Sequence, residues 1–284
     1  MSRSRPSRQA DAVVTGAGGG IGRAFAEEIA RRGGRVVCAD LNLQAAQSTA
    51  SAITAAGGQA LAVACDVAKL ADVEALAQRA ADWFGGAPTL VINNAGVGLG
   101  GSRVEDIRME DWHWIMGVNL WGVIHGCRVF VPQLRAAGRG AVLNVASAAS
   151  FGAAPMMGAY NVTKAAVVSL SETLHAELAG TGIRVAVLCP TFVKTDIIRN
   201  ARMPGTHIGK AQQMMDKQGM TPEKAVCHAL DGLDAGTIHL LPQLDARVSW
   251  LAKRLAPGLF TRGMGLANRF MPAANESGSG EGKA

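Results

Sequence analysis

The chain has 284 residues, 49% of them hydrophobic and 18% charged, with 35 glycines and a formal net charge of +6. That length allows one large core or two small ones, and the hydrophobic share excludes a disordered or collagen-like chain. No stretch of roughly 18 or more uninterrupted apolar residues occurs, so no membrane-spanning helix is predicted.

Cys38, Cys65, Cys127, Cys189 and Cys227 are odd in number and scattered, with no Cys-x-x-Cys pair. They point to reduced thiols in a cytoplasmic protein rather than a disulfide frame or a zinc site. The histidines show no metal-ligand spacing, so no metal is expected. Basic residues cluster only at the start and after Arg247, which does not describe a nucleic-acid face. Residues 1–9 read as a solvated, disordered basic tail without the apolar stretch of a secretory signal.

Ala12 to Thr15 reads as a short strand that breaks into Gly16-Ala17-Gly18-Gly19-Gly20-Ile21-Gly22. A helical pattern follows, with Ile21, Phe25 and Ile29 on one face. Strand, glycine turn and helix predict a nucleotide site: glycines permit the tight turn and the close approach of a pyrophosphate to the helix N-terminus. Val36 to Ala39 predicts a second strand ending at Asp40. An acid about 20 residues beyond the glycine turn accepts hydrogen bonds from ribose hydroxyls and repels a 2′-phosphate. Leu41, not Arg or Lys, comes next, so NAD rather than NADP is the expected cofactor.

The alternation continues. Helical patterns cover 43–56, 70–84, 109–131 and 160–179; strands cover 60–65, 90–92, 141–145, 183–188 and, last, 237–241. This predicts an α/β, doubly wound Rossmann fold: a seven-stranded parallel sheet flanked by helices, in a single domain over residues 10–242. Ligands in such sheets sit beyond the carboxyl ends of the strands. Gly16–Gly22, Asp40, Asp66, Asn93–Gly96, Ser147 and Pro190 all fall there.

The stretch Asn144–Lys164 carries the chemistry. Ser147 lies at the mouth of a predicted strand, and Tyr160 and Lys164 are spaced i,i+4 on a helix, on one face and about one turn apart. A phenol has a pKa near ~10 and is a poor acid or base at neutral pH, whereas a nearby ammonium lowers that value. Ordinary packing of a buried Tyr beside a snorkelling Lys is the competing explanation. Tyr160 is, however, the chain's one tyrosine, so tyrosine is not routine filler here.

Taken together, these motifs resemble those of the short-chain dehydrogenase/reductase family over roughly residues 10–242. Thr15-Gly16-x-x-x-Gly20-x-Gly22 matches the family's cofactor loop, and Asp66-Val67 the pair beside the adenine. Asn93-Asn94-Ala95-Gly96 matches the motif next to the cofactor. Asn119, Ser147, Tyr160 and Lys164 match the catalytic tetrad. Pro190-Thr191, with Val193 and Thr195, stands where the family usually has Pro-Gly and its nicotinamide and phosphate contacts. The resemblance implies that Tyr160 exchanges the substrate proton and Ser147 polarises the substrate oxygen. Lys164 tunes Tyr160 and holds the nicotinamide ribose. Asn119 either breaks its helix to seat a proton-relay water or is simply a helix Asn satisfied by backbone. Implied cofactor contacts are Gly16, Gly20, Ile21, Gly22, Asp40, Leu41, Asp66, Val67, Asn93, Ala95, Gly96, Tyr160, Lys164, Pro190, Val193 and Thr195.

The family selects substrate with a lid, here about 196–221, and with the loop before the tyrosine. Gly98, Phe151, Met156, Met157, Ile197 and Met203, with Ser147 and Tyr160, are the candidate substrate residues. Met adapts to irregular apolar ligands, so a hydrophobic secondary alcohol or its ketone is expected; the methionines of the lid serve equally well to pack it. Residues 243–272 form an amphipathic helical extension, expected to pack on protein of the same or a neighbouring subunit, with contact to a membrane surface as the alternative. Residues 273–284 read as disordered. The sequence therefore predicts an NAD-dependent oxidoreductase that forms a homodimer or homotetramer. The alternatives are a mainly reductive ketone or 3-oxoacyl reductase, or a non-catalytic nucleotide-binding scaffold.

Overall fold

The structure, a computed structural model, describes residues 5–269. Strands and helices alternate as β1 (Asp11–Thr15), α1 (Gly20–Arg31), β2 (Arg35–Asp40), α2 (Leu43–Ala55), β3 (Gln59–Ala64), α3 (Leu70–Phe84) and β4 (Leu90–Asn93). They continue with α4 (Met109–Met116), α5 (Gly122–Ala137), β5 (Gly140–Val145), the short α6 (Ala149–Gly152), α7 (Gly158–Glu177) and β6 (Ile183–Leu188). The chain closes with α8 (Gly205–Gln218), α9 (Pro222–Ala235), β7 (His239–Leu240), α10 (Leu244–Leu255) and α11 (Pro257–Arg269).

All strand pairs are parallel, in the order β3-β2-β1-β4-β5-β6-β7. Strand order therefore reverses between β1 and β4, which opens a crevice at their carboxyl ends. Both sheet faces are covered, which is why the central strands are apolar throughout rather than alternating. Val14, Ile92, Leu143 and Ala186 pack on one side with Phe25 and Ile29 of α1, Ile53 of α2 and Leu230 of α9. Val13, Val91, Val142 and Val185 pack on the other with Leu76 of α3, Phe130 of α5 and Val167 of α7.

Two departures from the sequence reading have plain causes. The last strand is shorter than the predicted 237–241, and Pro242, which follows it, has no N–H for a ladder. The helix predicted over 109–131 runs on to Ala137, interrupted by a π-helical turn at Gly117–Trp121. This 29-residue run is long and apolar enough to cross a bilayer by composition. Its Phe130 and Leu134 are nonetheless fully buried in the domain core, so it serves as a core helix.

The expected solvated tail is also corrected from residue 5 onward; residues 1–4 lie outside the described residues. Ser7 is fully buried, and its N–H and hydroxyl donate to the two carboxylate oxygens of Asp234 at 2.9 and 2.7 Å. Arg32, with 7% of its side chain exposed, donates to Ser7 Oγ, Glu28 Oε1 and Asp231 Oδ1 at 2.7–2.8 Å. One guanidinium thus ties the N-terminal segment to α1 and α9. Hydrogen bonds from Arg31, and then from Arg32, pull the Glu28 carboxyl down to about 2 against the opposing effect of burial.

Truncating Arg32 removes its bonds to Ser7, Glu28 and Asp231 but leaves Glu28 held by Arg31, so Arg32→Ala is expected to lower stability by about 1–2 kcal/mol in urea unfolding at neutral pH. Glu28 has a depressed folded pKa, so its contribution is complete above the ordinary carboxylate value and is lost as pH falls towards about 2. The stability gap between the wild type and Glu28→Gln should therefore close across that acidic window.

Candidate active site

The glycine turn between β1 and α1 is built for close approach. Gly16 and Gly20 have φ of +65° and +53°, which side chains rarely tolerate. A Cβ on Gly22 would lie 2.0 Å from Gly16 O, so only glycine lets the helix sit against the turn. Beside Gly19, in contrast, there is open space, and no side chain caps the first turn of α1. Its backbone N–H groups are left for an anion. Gly20 faces Thr195 of the loop after β6, with a Cβ there only 3.0 Å from Thr195 Cγ2. Ile21 packs against the core below.

Asp40 ends β2, and its carboxylate accepts from Gly18 N at 2.8 Å and from Asn42 N at 2.9 Å. A negative charge therefore stands at the rim of the turn, with Leu41 75% exposed beside it. Asp66 Oδ1 accepts from Ala68 N, while Val67 is buried and packs against Gly122 of α5. These residues suit NAD: an open glycine cradle for a pyrophosphate, and an acid set against a 2′-phosphate.

Beyond β4, Thr15 Oγ1 accepts from Asn94 N and Ala95 N at 3.0 and 3.1 Å, and Asn94 Nδ2 donates to Thr15 O at 2.8 Å. The motif thus clamps the first and fourth strands at the crevice. The Asn93 side chain turns away into the sheet, donating to Asn144 Oδ1 at 2.8 Å. It supports the crevice from below rather than lining it.

The four predicted catalytic side chains gather above β4 and β5. Asn119 lies in the π turn, fully buried; it donates to Val97 O at 2.9 Å and accepts from Val97 N at 2.7 Å. Its side chain is spent on fixing the loop after β4. A Cβ on Gly96 would stand 3.3 Å from Asn119 Oδ1 and 3.4 Å from Lys164 Nζ, which places both beside that glycine. Lys164 is 3% exposed and donates to Val145 O at 2.9 Å. Ser147 Oγ donates to Pro190 O at 3.4 Å and accepts from Ala149 N at 3.2 Å, and it is near enough to Tyr160 to act on its phenol.

The electrostatics differ from the sequence expectation. Burial pushes the Tyr160 phenol above its ordinary value, and the Ser147 hydrogen bond works against that. Burial also drives the Lys164 ammonium down to about 8. The reason is geometric: Lys164 Nζ points to the Val145 carbonyl, 5.9 Å from the centre of the Tyr160 ring. Burial, rather than the ammonium, dominates the phenol.

The candidate substrate residues mostly converge. A Cβ on Gly98 would meet Ala201 Cβ at 2.9 Å and Ile197 O at 3.2 Å; one on Gly100 would meet Met203 Cε at 3.2 Å and Met157 Cγ at 3.5 Å. Gly101 N donates to Met156 O at 2.8 Å. Ala153 and Met156 adopt left-handed backbone in the loop before Tyr160, a strain tolerated where a site requires it. Phe151 instead packs against the core. Within the lid, Met215 is buried and Met214 exposed, so its methionines divide between packing and surface. Val193 is buried and pairs with Met220 at the lid's far end. Among the described residues no cluster suited to a metal occurs.

A family model for short chain dehydrogenases matches residues 10–204. The chain belongs to the short-chain dehydrogenase family. Over 196 residues it is 38% identical to a Mycobacterium tuberculosis protein named "Probable oxidoreductase EphD", covering 68% of this chain but 33% of that one. The chain thus spans about a third of that relative's length. It is 38% identical to the D-threitol dehydrogenase of Mycolicibacterium smegmatis, covering 66% of this chain and 71% of that one. To the cyclohexanol dehydrogenase of an Acinetobacter strain it is 36% identical, covering 66% and 74%. Among solved structures, a short chain dehydrogenase/reductase from Burkholderia phymatum in complex with NAD matches with a TM-score of 0.82 at 34% identity, covering 87% and 94%.

Sequence reasoning missed the residues that hold the expected lid. Arg202 N donates to Gly98 O at 3.0 Å, and its guanidinium reaches Asp111 Oδ1 at 2.8 Å and lies 3.9 Å from the Trp114 ring centre. Trp114 packs in turn with Leu99, Ile115 and Tyr160. Nothing in local spacing marks Arg202, because its partners lie about ninety residues earlier. Arg202→Ala should release this strap, with amide exchange at Gly100 and Arg202→Ala's own position at least about tenfold faster by hydrogen-exchange mass spectrometry, and global stability changed by about 1 kcal/mol or less.

Proposed function

We propose that this short-chain dehydrogenase interconverts an apolar secondary alcohol and its ketone with NAD. The observation that carries the reading is Ser147 with Tyr160 and a buried Lys164 beside Gly96, on the same carboxyl edge of the parallel sheet as the glycine turn and Asp40. A binding-only scaffold has no use for a desolvated ammonium one helical turn from a phenol. NAD binding is supported by the fit of the cradle and by the NAD complex of the Burkholderia phymatum relative. NAD supplies the redox chemistry when bound.

The residues of the chain do the rest. Ser147 Oγ and the Tyr160 hydroxyl form a pair of donors that hold the substrate oxygen. Tyr160 takes the hydroxyl proton in oxidation and returns one in reduction. Lys164 keeps a positive charge under the site, and Asn119 fixes the adjoining Val97 loop. Leu99, Trp114 and the lid methionines exclude water around that oxygen. Arg202 is paired with Asp111, so its charge is not offered to an anionic substrate. That pairing favours an apolar substrate, and the relatives include both a D-threitol and a cyclohexanol dehydrogenase.

Burial raises the Tyr160 phenol above its ordinary value, and the Ser147 hydroxyl works against that. Oxidation needs the phenolate, so its kcat/KM should climb about tenfold per pH unit on the acid side of the phenol's pKa. Turnover of a panel of secondary alcohols and ketones with NAD and NADP, read at 340 nm, tests the assignment. Tyr160→Phe should lower kcat/KM by roughly 10²- to 10⁴-fold with cofactor binding retained. Asp40→Ala should raise the KM for NAD by about tenfold and lower that for NADP. Turnover retained in Tyr160→Phe, or a wild-type preference for NADP, would refute the corresponding part.

A further inference from the structure

The last two helices carry a surface that the catalytic reading does not use. In α10, Leu244, Val248, Leu251 and Leu255 are 74%, 59%, 51% and 75% exposed. They recur at i, i+4, i+7 and i+11, so they form one stripe along the helix. Ala246, on the opposite side, is fully buried, and the stripe therefore faces directly away from the protein. Leu259 and Leu266 of α11 extend it at 71% and 55% exposure. Six of the thirteen exposed large hydrophobics among the described residues lie on these two helices, so the exposure is a concentrated patch rather than scatter.

The orientation is fixed by contacts along the flank of α10. Arg247 Nε donates to Leu241 O at 2.8 Å, Arg254 reaches Glu172 Oε1 at 3.1 Å, and Trp250 stacks near His239 with ring centres 5.5 Å apart. The stripe is not poised to fold back.

Charge decides what covers it. Residues 243–266 contain Arg247, Lys253, Arg254 and Arg262 but only one acid, Asp245. Asp245 is itself engaged with Thr191 Oγ1 and Ala246 N. Arg254 is paired with Glu172, and Lys253, two turns from Ala246 on the same side of α10, is turned to Thr261; Arg247, which donates to the neutral oxygen of Leu241, and the exposed Arg262 keep their charge beside the stripe. Stripe-to-stripe packing of two copies would bring basic rims together with no acid to meet them. An anionic lipid surface satisfies both the apolar stripe and the cations.

We propose that α10 and α11 form a peripheral membrane-binding face that seats the Leu244–Leu266 stripe among the headgroups of an anionic phospholipid bilayer. A basic amphipathic helix lies in that plane with its apolar side at the acyl boundary. The proposal stands apart from the catalytic assignment, though α10 packs on α6, just after Ser147.

Co-sedimentation of the full chain with vesicles tests it, using phosphatidylcholine alone or mixed with phosphatidylglycerol. The chain should pellet with the mixed vesicles, much less with phosphatidylcholine alone, and lose binding at high salt. The double variant Leu251→Glu, Leu255→Glu should partition at least about tenfold more weakly at unchanged melting temperature. Wild type remaining in the supernatant, or the double variant binding as well as wild type, would overturn the proposal. So would a fall in native mass in the double variant, by light scattering, without vesicle binding by wild type; that result would assign the stripe to a second copy.

Discussion

A buried ammonium with no carboxylate against it, among the described residues, is the constraint on which this site depends. Lys164 is 3% exposed, and burial alone drives its pKa down to about 8. Its tether is a neutral backbone oxygen, Val145 O. Such a cation weakens the fold relative to a packed apolar side chain, so its presence is explained by chemistry rather than stability. Its neighbours are close: a Cβ on Gly96 would stand 3.4 Å from Nζ and 3.3 Å from Asn119 Oδ1, and Asn119 holds the Val97 loop on the same side. Through Val145 the nitrogen ties α7 to the end of β5.

The sheet supplies the rigidity this needs through polar bonds inside an otherwise apolar core. Asn93 donates to Asn144, and Asn144 donates to Ser171 Oγ at 2.9 Å, joining β4, β5 and α7 in a buried chain. Thr15 and Asn94 lock β1 to β4 at the crevice. Paired buried amides fix register more sharply than interchangeable aliphatic contacts, because a slip leaves donors unsatisfied. The glycine turn and the tetrad therefore keep their relation across the switch point.

The C-terminal extension belongs to this arrangement. Where the family usually has glycine after Pro190, this chain has Thr191, and Thr191 N donates to Gln243 Oε1 at 3.1 Å while Gln243 Nε2 donates to Phe192 O at 2.9 Å. The start of α10 thus braces the loop that leads to Val193 and Thr195. A segment that looks like an appendix in the sequence supports the wall of the pocket with one face and leaves an apolar stripe on the other.

Local rules made much of the protein legible. The strand, glycine turn and helix around Gly16–Gly22 and the acid at Asp40 could be read because backbone freedom and charge are properties of residue type. Tyr160 and Lys164 could be read because helical spacing alone places them together. What escaped were contacts between distant parts of the chain: Arg202 on Asp111 and Trp114, Ser7 on Asp234, and Gln243 on Thr191. The sign of the Tyr160 shift escaped too, since proximity along a helix does not say how deeply a phenol is buried or where the ammonium points. Periodicity likewise showed that α10 has an apolar stripe, and only the packing of Ala246 showed that it faces outward. Pattern fixes which residues share a face; topology decides what that face meets.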